Sequence, residues 1–185
     1  SYSVTGVQTC ALPIYSPKWD GGCGKADILL SLGDTYDEVI IEAAKSYECD
    51  KILAVRGNHD RSCVFMEPII DIHMKTIVYK GVIFGGFNGS WKYKPVGNYL
   101  YTQDEAKKLI KKLPYVDIFL SHNAPRGVHD RDDHVHVGFE SLKLYIDTMK
   151  PRYVLHGHQH TNQESRIGST TVISVHGSIL INYEQ

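Results

Sequence analysis

The sequence predicts an α/β domain built on a mixed β-sheet. Three observations carry this. Short apolar runs of strand length recur at 26–32, 51–56, 116–122 and 152–160. Stretches with apolar residues at helical spacing lie between or beside them. Alternating segments with glycine turns, in the middle and at the C-terminal end, add hairpins to an otherwise βαβ pattern.

In chain order, ADILLSL (26–32) is an apolar run ending at Gly33-Asp34 and reads as a buried strand. Residues 36–47 put Val39, Ile40, Ala43 and Ala44 on one helical face. KILAVR (51–56) is the next buried strand, so strand, helix and strand form a parallel βαβ unit. TIVYKGVIFGGFNGS (76–90) reads as two strands joined by a tight Lys80-Gly81 turn, and SWKYKPVGNYLY as a loop. Residues 102–113 form a helix with Thr102 as N-cap, early acids and late lysines, ended by Pro114. VDIFLSH (116–122) is a strand, and residues 124–138 are a long polar loop. Residues 139–149 form a helix with Leu142, Leu144, Tyr145 and Met149 as apolar contacts. RYVLHGHQH (152–160) is a fourth strand with a polar end, and the tail holds short strands with glycine turns. No repeat or linker divides the chain.

The 185 residues are enough for one domain with a real core. A formal net charge of −1 argues against a nucleic-acid or anionic-membrane partner. No apolar run approaches the roughly 18 residues a membrane helix needs. Cys10, Cys23, Cys49 and Cys63 have irregular spacing and no C-x-x-C, which fits idle thiols in a reducing cytosol and a cytoplasmic protein.

The first residues stand apart. SYSVTGVQTCALPIY has no clear period, and TGVQTCALPI resembles the translated read-through of a sequencing adapter. Residues 1–14 are expected to be non-native, leaving a domain over 15–185 that is truncated at its N-terminus. The competing reading is a real strand, since SYSVTGVQ alternates weakly. It is not a secretory signal, having no basic start and no compact apolar stretch.

The chemistry collects at strand ends. Four strands run into polar residues: Gly33-Asp34, Gly57-Asn58-His59-Asp60, Ser121-His122 and Gly157-His158-Gln159-His160. In open α/β sheets the C-terminal strand ends line the ligand crevice. Turns and caps account for one such ending more easily than for four. Mixed Asp, Asn and His without Cys is a donor set of intermediate hardness, suited to Mn²⁺, Fe²⁺, Co²⁺ or Zn²⁺. A carboxylate among imidazoles can bridge two cations, and paired metals stabilise both attacking and leaving oxygens in phosphoryl displacement.

GD (33–34), GNHD (57–60), His122 at a strand end and GHQH (157–160) resemble, in order, the motifs of the calcineurin-like metallophosphoesterases. The likeness is greatest to small stand-alone bacterial members and runs from about residue 16 to the C-terminus. It implies two mixed β-sheets packed face to face with flanking helices, an α-β-β-α sandwich. It also implies a dinuclear centre of divalent metals, manganese favoured, whose metal-bound hydroxide hydrolyses a small phosphomonoester or phosphodiester. Asp34 would bridge the metals. Asn58, His122 and His158 would complete one site, and His160 would bind the other metal. His59 would act at the phosphoryl group, with Asp60 orienting its imidazole.

The family's first motif, D-x-H, is missing: no His precedes His59 and no Asp precedes Asp20. In similar small members a stretch like SPKWD follows that motif, so the foreign segment would have replaced the first strand and its ligands, with a join near Tyr15. The chain is therefore expected to hold one metal better than the other and to be impaired in activity. A missing inner strand would also expose sheet edges and lower solubility.

Other polar residues carry weaker expectations. Asp37 reads as a helix-dipole acid. The 129–136 run, with three His and three Asp, reads as a loop at the crevice mouth before a third metal site. Arg126, more than Arg56, is a candidate phosphate contact. Trp91 and Tyr93 are either a substrate wall or a structural aromatic cluster. His73 reads as an ordinary partly buried histidine, His156 as core or ligand support, and His176 without a role. The alternative to an enzyme is a non-catalytic scaffold of the same fold, against which the intact GNHD and GHQH motifs argue. A nuclease is disfavoured by charge and length, and a structural zinc protein by the lack of paired cysteines.

Overall fold

A computed structural model describes residues 23–183 and, as backbone only, residues 7–12. The elements in the first half are β1 (Val7–Leu12), β2 (Ile28–Ser31), α1 (Asp37–Ser46), β3 (Lys51–Ala54), β4 (Ile69–Asp71), β5 (Thr76–Tyr79) and β6 (Val82–Phe87). Then come β7 (Ser90–Trp91), β8 (Leu100–Tyr101), α2 (Gln103–Ile110), β9 (Ile118–Ser121) and α3 (Glu140–Met149). The chain closes with β10 (Tyr153–His156), β11 (Gln163–Ile167), β12 (Thr170–Ser174) and β13 (Ile179–Tyr183).

Two mixed sheets result. One has the order β13-β1-β2-β3-β4, with β13 antiparallel to β1 and the rest parallel. The other has the order β11-β12-β10-β9-β6-β5, parallel in the middle and antiparallel at both edges. The period of two along each strand sorts side chains between layers. Ile28, Leu30 and Leu53 of the first sheet meet Phe84, Ile118, Leu120 and Leu155 of the second in one central core. Leu29, Ile52 and Ala54 point the other way, onto Ile40, Ala43 and Ala44 of α1. Phe119, Val154 and Val172 pack on Ala106 and Ile110 of α2 and on Leu142, Tyr145 and Ile146 of α3. Strands covered on both faces read as continuous apolar runs. That is why ILLS of β2 is buried at all four positions. The architecture is the α-β-β-α sandwich.

Local chemistry sets several boundaries. Lys80 and Gly81 both have positive φ, 48° and 80°, as a two-residue hairpin with the twist of its strands requires. Thr102 caps α2 in a reciprocal capping box with Glu105. The helix ends at Ile110, before Pro114, so the proline is not what stops it.

Other expectations change. On α3, Leu144 is 51% exposed and Met149 sits half-exposed at the last turn, while Ile146 is buried. At 100° per residue, Leu144 lies about 200° from Leu142, on the opposite face. The stretch expected to be a loop after residue 90 contains the short parallel pair β7 and β8. Residues 7–12, within the segment expected to be non-native, form β1 between β2 and β13, the position where a first strand lost or replaced is expected. That inner position is filled, so the sheet edges there are paired. The expected join near Tyr15, and Asp20, lie outside the described residues.

Candidate metal centre

The site is assembled where the two sheets present their parallel strand ends side by side. β2 and β3 run in register, Leu30 opposite Leu53, so Gly33-Asp34 and Gly57-Asn58 emerge together. Both glycines are required by close approach. A Cβ on Gly33 (φ 90°) would lie 2.4 Å from the Gly57 nitrogen, and one on Gly57 would lie 2.1 Å from Asp34 Oδ1. In the second sheet β9 and β10 are paired with Leu120 opposite Leu155, which brings His122 and His158 out at one level. The Gly157 N–H donates to the His122 carbonyl at 3.1 Å. Asp34, His158 and His160 all have left-handed φ, at 55°, 64° and 54°. Such geometry costs non-glycine residues on the order of 1 kcal/mol and persists only where surroundings impose it.

Four expected ligands converge. Ligand atoms of Asp34, His122 and His158 lie within 4.8 Å of one another. His122 Nε2 sits 3.3 Å from Asp34 Oδ2 and 3.0 Å from Asn58 Oδ1. The other ring nitrogen of His122, Nδ1, donates to the Leu32 carbonyl at 2.7 Å. This backbone bond fixes the ring and leaves Nε2 facing the cluster, the usual support of a ligating histidine. His158 is held in the same way, Nε2 lying 3.3 Å from the Val135 carbonyl.

The protonation states suit a cation. Burial works against charge on Asp34, but the His122 imidazole and the His59 N–H overcome it and hold the carboxylate well below its ordinary range. Burial, then the neighbouring His122 ring, pushes His158 down to about 3, so it is neutral with a lone pair available. His122 is buried too, yet Asp34 raises its pKa. The Asp34 carboxylate, the Asn58 amide oxygen and His122 Nε2 thus face one another around a single point. An O/N set of one carboxylate, one amide and two imidazoles fits a divalent metal of intermediate hardness.

His160 is apart from this group. It is exposed, its nearest ring neighbours being His176 at 5.8 Å and His136 at 6.3 Å, and burial and those rings lower its pKa. Among the described residues, no second group of three metal-ligating side chains is present. His59 is exposed and its N–H donates to Asp34 Oδ1 at 2.8 Å. The Asp60 carboxylate joins the two strand-end turns. Its Oδ2 accepts N–H groups from both Gly57 (2.6 Å) and Asp34 (2.9 Å), so it clasps the two strand-end turns. Burial raises its pKa.

Both candidate arginines are engaged elsewhere. Arg56 makes a buried two-pronged ion pair with Asp37, at 2.7 and 3.2 Å. Asp37 also accepts the Met66 N–H, so it does more than favour the helix dipole. Arg126 is held by Asp130 and Asp132 within its own loop. Asp133 of that loop accepts from Val135 and His136.

The polar loop nevertheless borders the cluster. Its Val135 carbonyl touches His158, and the His136 ring lies 5.1 Å from the His158 ring. Buried Asn123 and Gln159 pin it, donating to Val137 and His136 carbonyls at 2.9 and 3.1 Å. Sequence reasoning assigns neither amide a role. Their positions, each beside a candidate histidine ligand, are the available signal. Tyr93 also reaches the cluster, its hydroxyl accepting from Asn58 Nδ2 at 3.2 Å while its ring meets His134 edge-on. His156 is buried with Nε2 3.1 Å from His129 Nδ1, and His129 Nε2 is 2.8 Å from Ser165 Oγ, which ties the loop to β11. His73 accepts the Asn88 N–H, and Asn88 Oδ1 accepts the Arg56 N–H.

Among the described residues, no helix is long and apolar enough to cross a membrane. No curated protein matches the chain. TT1561 of Thermus thermophilus superposes with a TM-score of 0.61 at 13% identity, covering 97% of this chain and 99% of that one. Vacuolar Protein Sorting 29 from Cryptosporidium parvum superposes with a TM-score of 0.50 at 11% identity, covering 92% and 74%. At such identities the likeness is one of fold. The sequence profile of the calcineurin-like phosphoesterase superfamily domain matches residues 21–182, and the strand-end motifs fall within that span. The chain belongs to the calcineurin-like phosphoesterase superfamily.

Proposed function

We propose that the protein hydrolyses a small phosphomonoester or phosphodiester at a dinuclear centre of divalent metals, manganese favoured. The observation that carries this reading is the convergence of Asp34, His122 and His158 on one point, with the Asn58 carbonyl beside them. In this reading Asp34, Asn58, His122 and His158 would hold one ion, and Asp34 with His160 would hold the other. Bound metals of this kind activate water and neutralise charge on the phosphoryl oxygens. His59, exposed beside Asp34, handles charge or a proton at the leaving oxygen. Asp60 positions the Asp34 and Gly57 turns. Among the described residues the cluster offers four groups to one ion, and Asp34 with His160 are the candidates for the other, so we expect lower activity than in a chain carrying D-x-H. We place the protein in the cytoplasm, where the free cysteines, Cys23 and Cys63 exposed among them, would stay reduced.

The test restores an N-terminus carrying D-x-H and compares both chains for manganese-stimulated hydrolysis of bis-p-nitrophenyl phosphate and p-nitrophenyl phosphate. The expected result is activity in the restored chain, much less in this one, and loss in His59→Ala. Preference between the two esters separates diesterase from monoesterase. Metal binding without hydrolysis in either chain would favour the alternative, a non-catalytic scaffold of this fold.

A further inference from the structure

A cleft of about 540 Å³ opens on one side of the metal cluster. Its lining takes in Asp34 and His59 but neither His122 nor His158. One wall is the first turn of α1 with the residues before it; the other is the segment following His59. The floor is preformed. The Arg56–Asp37 pair lies there with side chains 5% and 9% exposed, and the Arg56 guanidinium stacks 3.4 Å over the Phe65 ring. Asp37 takes the Met66 N–H at 2.7 Å, which fastens one wall to the other. The Arg56 and Asp37 charges on the floor are paired with each other.

The lip is open and carries three large apolar side chains beside the exposed Glu38 and Arg61. Tyr36, Val64 and Met66 are 44%, 92% and 48% exposed, and all three line this cleft. Arg61, also lining it, is exposed, and among the described residues it has no carboxylate within ion-pair distance. A compact phosphate needs only the Asp34 and His59 end. The remaining volume is that of a small-molecule site, and large apolar side chains around a concave site mark where an apolar group is received.

We infer that this cleft takes the organic group of the substrate, and that the group is aromatic: an aryl phosphoester, its phosphate at the metal cluster and its ring against Tyr36, Val64 and Met66. The Arg61 guanidinium is placed to stack on the ring or to meet an anionic substituent on it. This inference rests on the phosphoesterase reading. It adds the substrate class and the residues that select it.

The experiment separates the two. Binding of benzylphosphonate and methylphosphonate, neither of which is hydrolysed, is measured by calorimetry in manganese buffer. Burial of one ring gives benzylphosphonate an advantage of about tenfold. In Tyr36→Ala and Met66→Glu that advantage falls to about twofold while methylphosphonate binding is unchanged, and the remote Leu144→Glu keeps it, circular dichroism confirming the fold of each variant. Equal affinities in the unaltered chain, absence of binding by either phosphonate, or an advantage that survives both cleft variants would overturn the inference. Hydrolysis of simple esters without aromatic preference would sink the cleft alone. Aromatic preference in binding with no hydrolysis of any ester, even after D-x-H is restored, would sink the phosphoesterase reading and leave the cleft standing.

Discussion

His158 and His160 are two residues apart, and both adopt left-handed backbone, yet they occupy opposite environments. His158 is buried, bonded through one nitrogen to the Val135 carbonyl, and faces a carboxylate and a second imidazole. His160 is exposed, its nearest described rings being those of His176 and His136. Identical side chains in nearly identical local conformations therefore differ in readiness to hold a cation. The difference comes from neighbours supplied by distant strands. A ligand is made by its surroundings: a ring held by a backbone partner and further donors within reach.

That contrast can be broken at its strongest point. Gly57→Ala forces a methyl group to 2.1 Å from Asp34 Oδ1 and 2.6 Å from His122. A loss of about 3 kcal/mol in denaturant unfolding is expected. Gly168→Ala is the comparison, because its Cβ meets nothing within 4 Å and only the positive φ is penalised. Its expected cost is about 1 kcal/mol. Equal losses would mean that crowding at the cluster is relieved by movement of the turns.

Next in size is the ligand pair. Loss of an outer-shell partner typically weakens a metal site by 10–100-fold, so His122→Ala should weaken manganese binding by about a hundredfold or more. His160→Ala should change the tighter binding event by less than about twofold in the same titration. Equal effects would erase the distinction between the two positions. Tyr93→Phe sharpens it. Removing the hydroxyl frees the Asn58 amide to turn its nitrogen toward the cluster, and a loss of about threefold in manganese affinity is expected, smaller than for a ligand.

The smallest effect is a control at His73, which is outside the candidate ligand set. Burial lowers the His73 pKa below its ordinary 6.5, and the neutral ring accepts the Asn88 N–H. Its contribution to stability is therefore present above pH 6.5 and lost as pH falls below that value toward the lowered pKa. His73→Gln should flatten this part of the stability profile, read by urea midpoints across roughly pH 5–7, without altering manganese affinity.

Much of this is legible in the sequence because it is local. Glycine followed by a polar residue at strand ends marks the site, and the Lys80-Gly81 turn and the Thr102–Glu105 box are each written within a few residues. What is hidden depends on partners far along the chain. Arg56 and Arg126 both look free to meet phosphate, but Asp37 and the 130–132 acids close on them. The bond from the Asp34 N–H to Asp60 Oδ2 joins residues 26 positions apart, which no local pattern shows. Leu144 has the chemistry of a core contact, although its angle on α3 points outward. The pairs β3 with β4 and β7 with β8 rest on segments of two to four residues, too short to show a period.

The layering also bears on the mechanics of the whole domain. Asp34 and Asn58 follow strands of one sheet, whereas His122 and His158 follow strands of the other. An ion held by all four would be a rivet through the seam of the sandwich, resisting any shear of one sheet over the other. Chelation would then loosen the whole domain along with the active centre, and the melting temperature would report the occupancy of a site only a few ångströms wide.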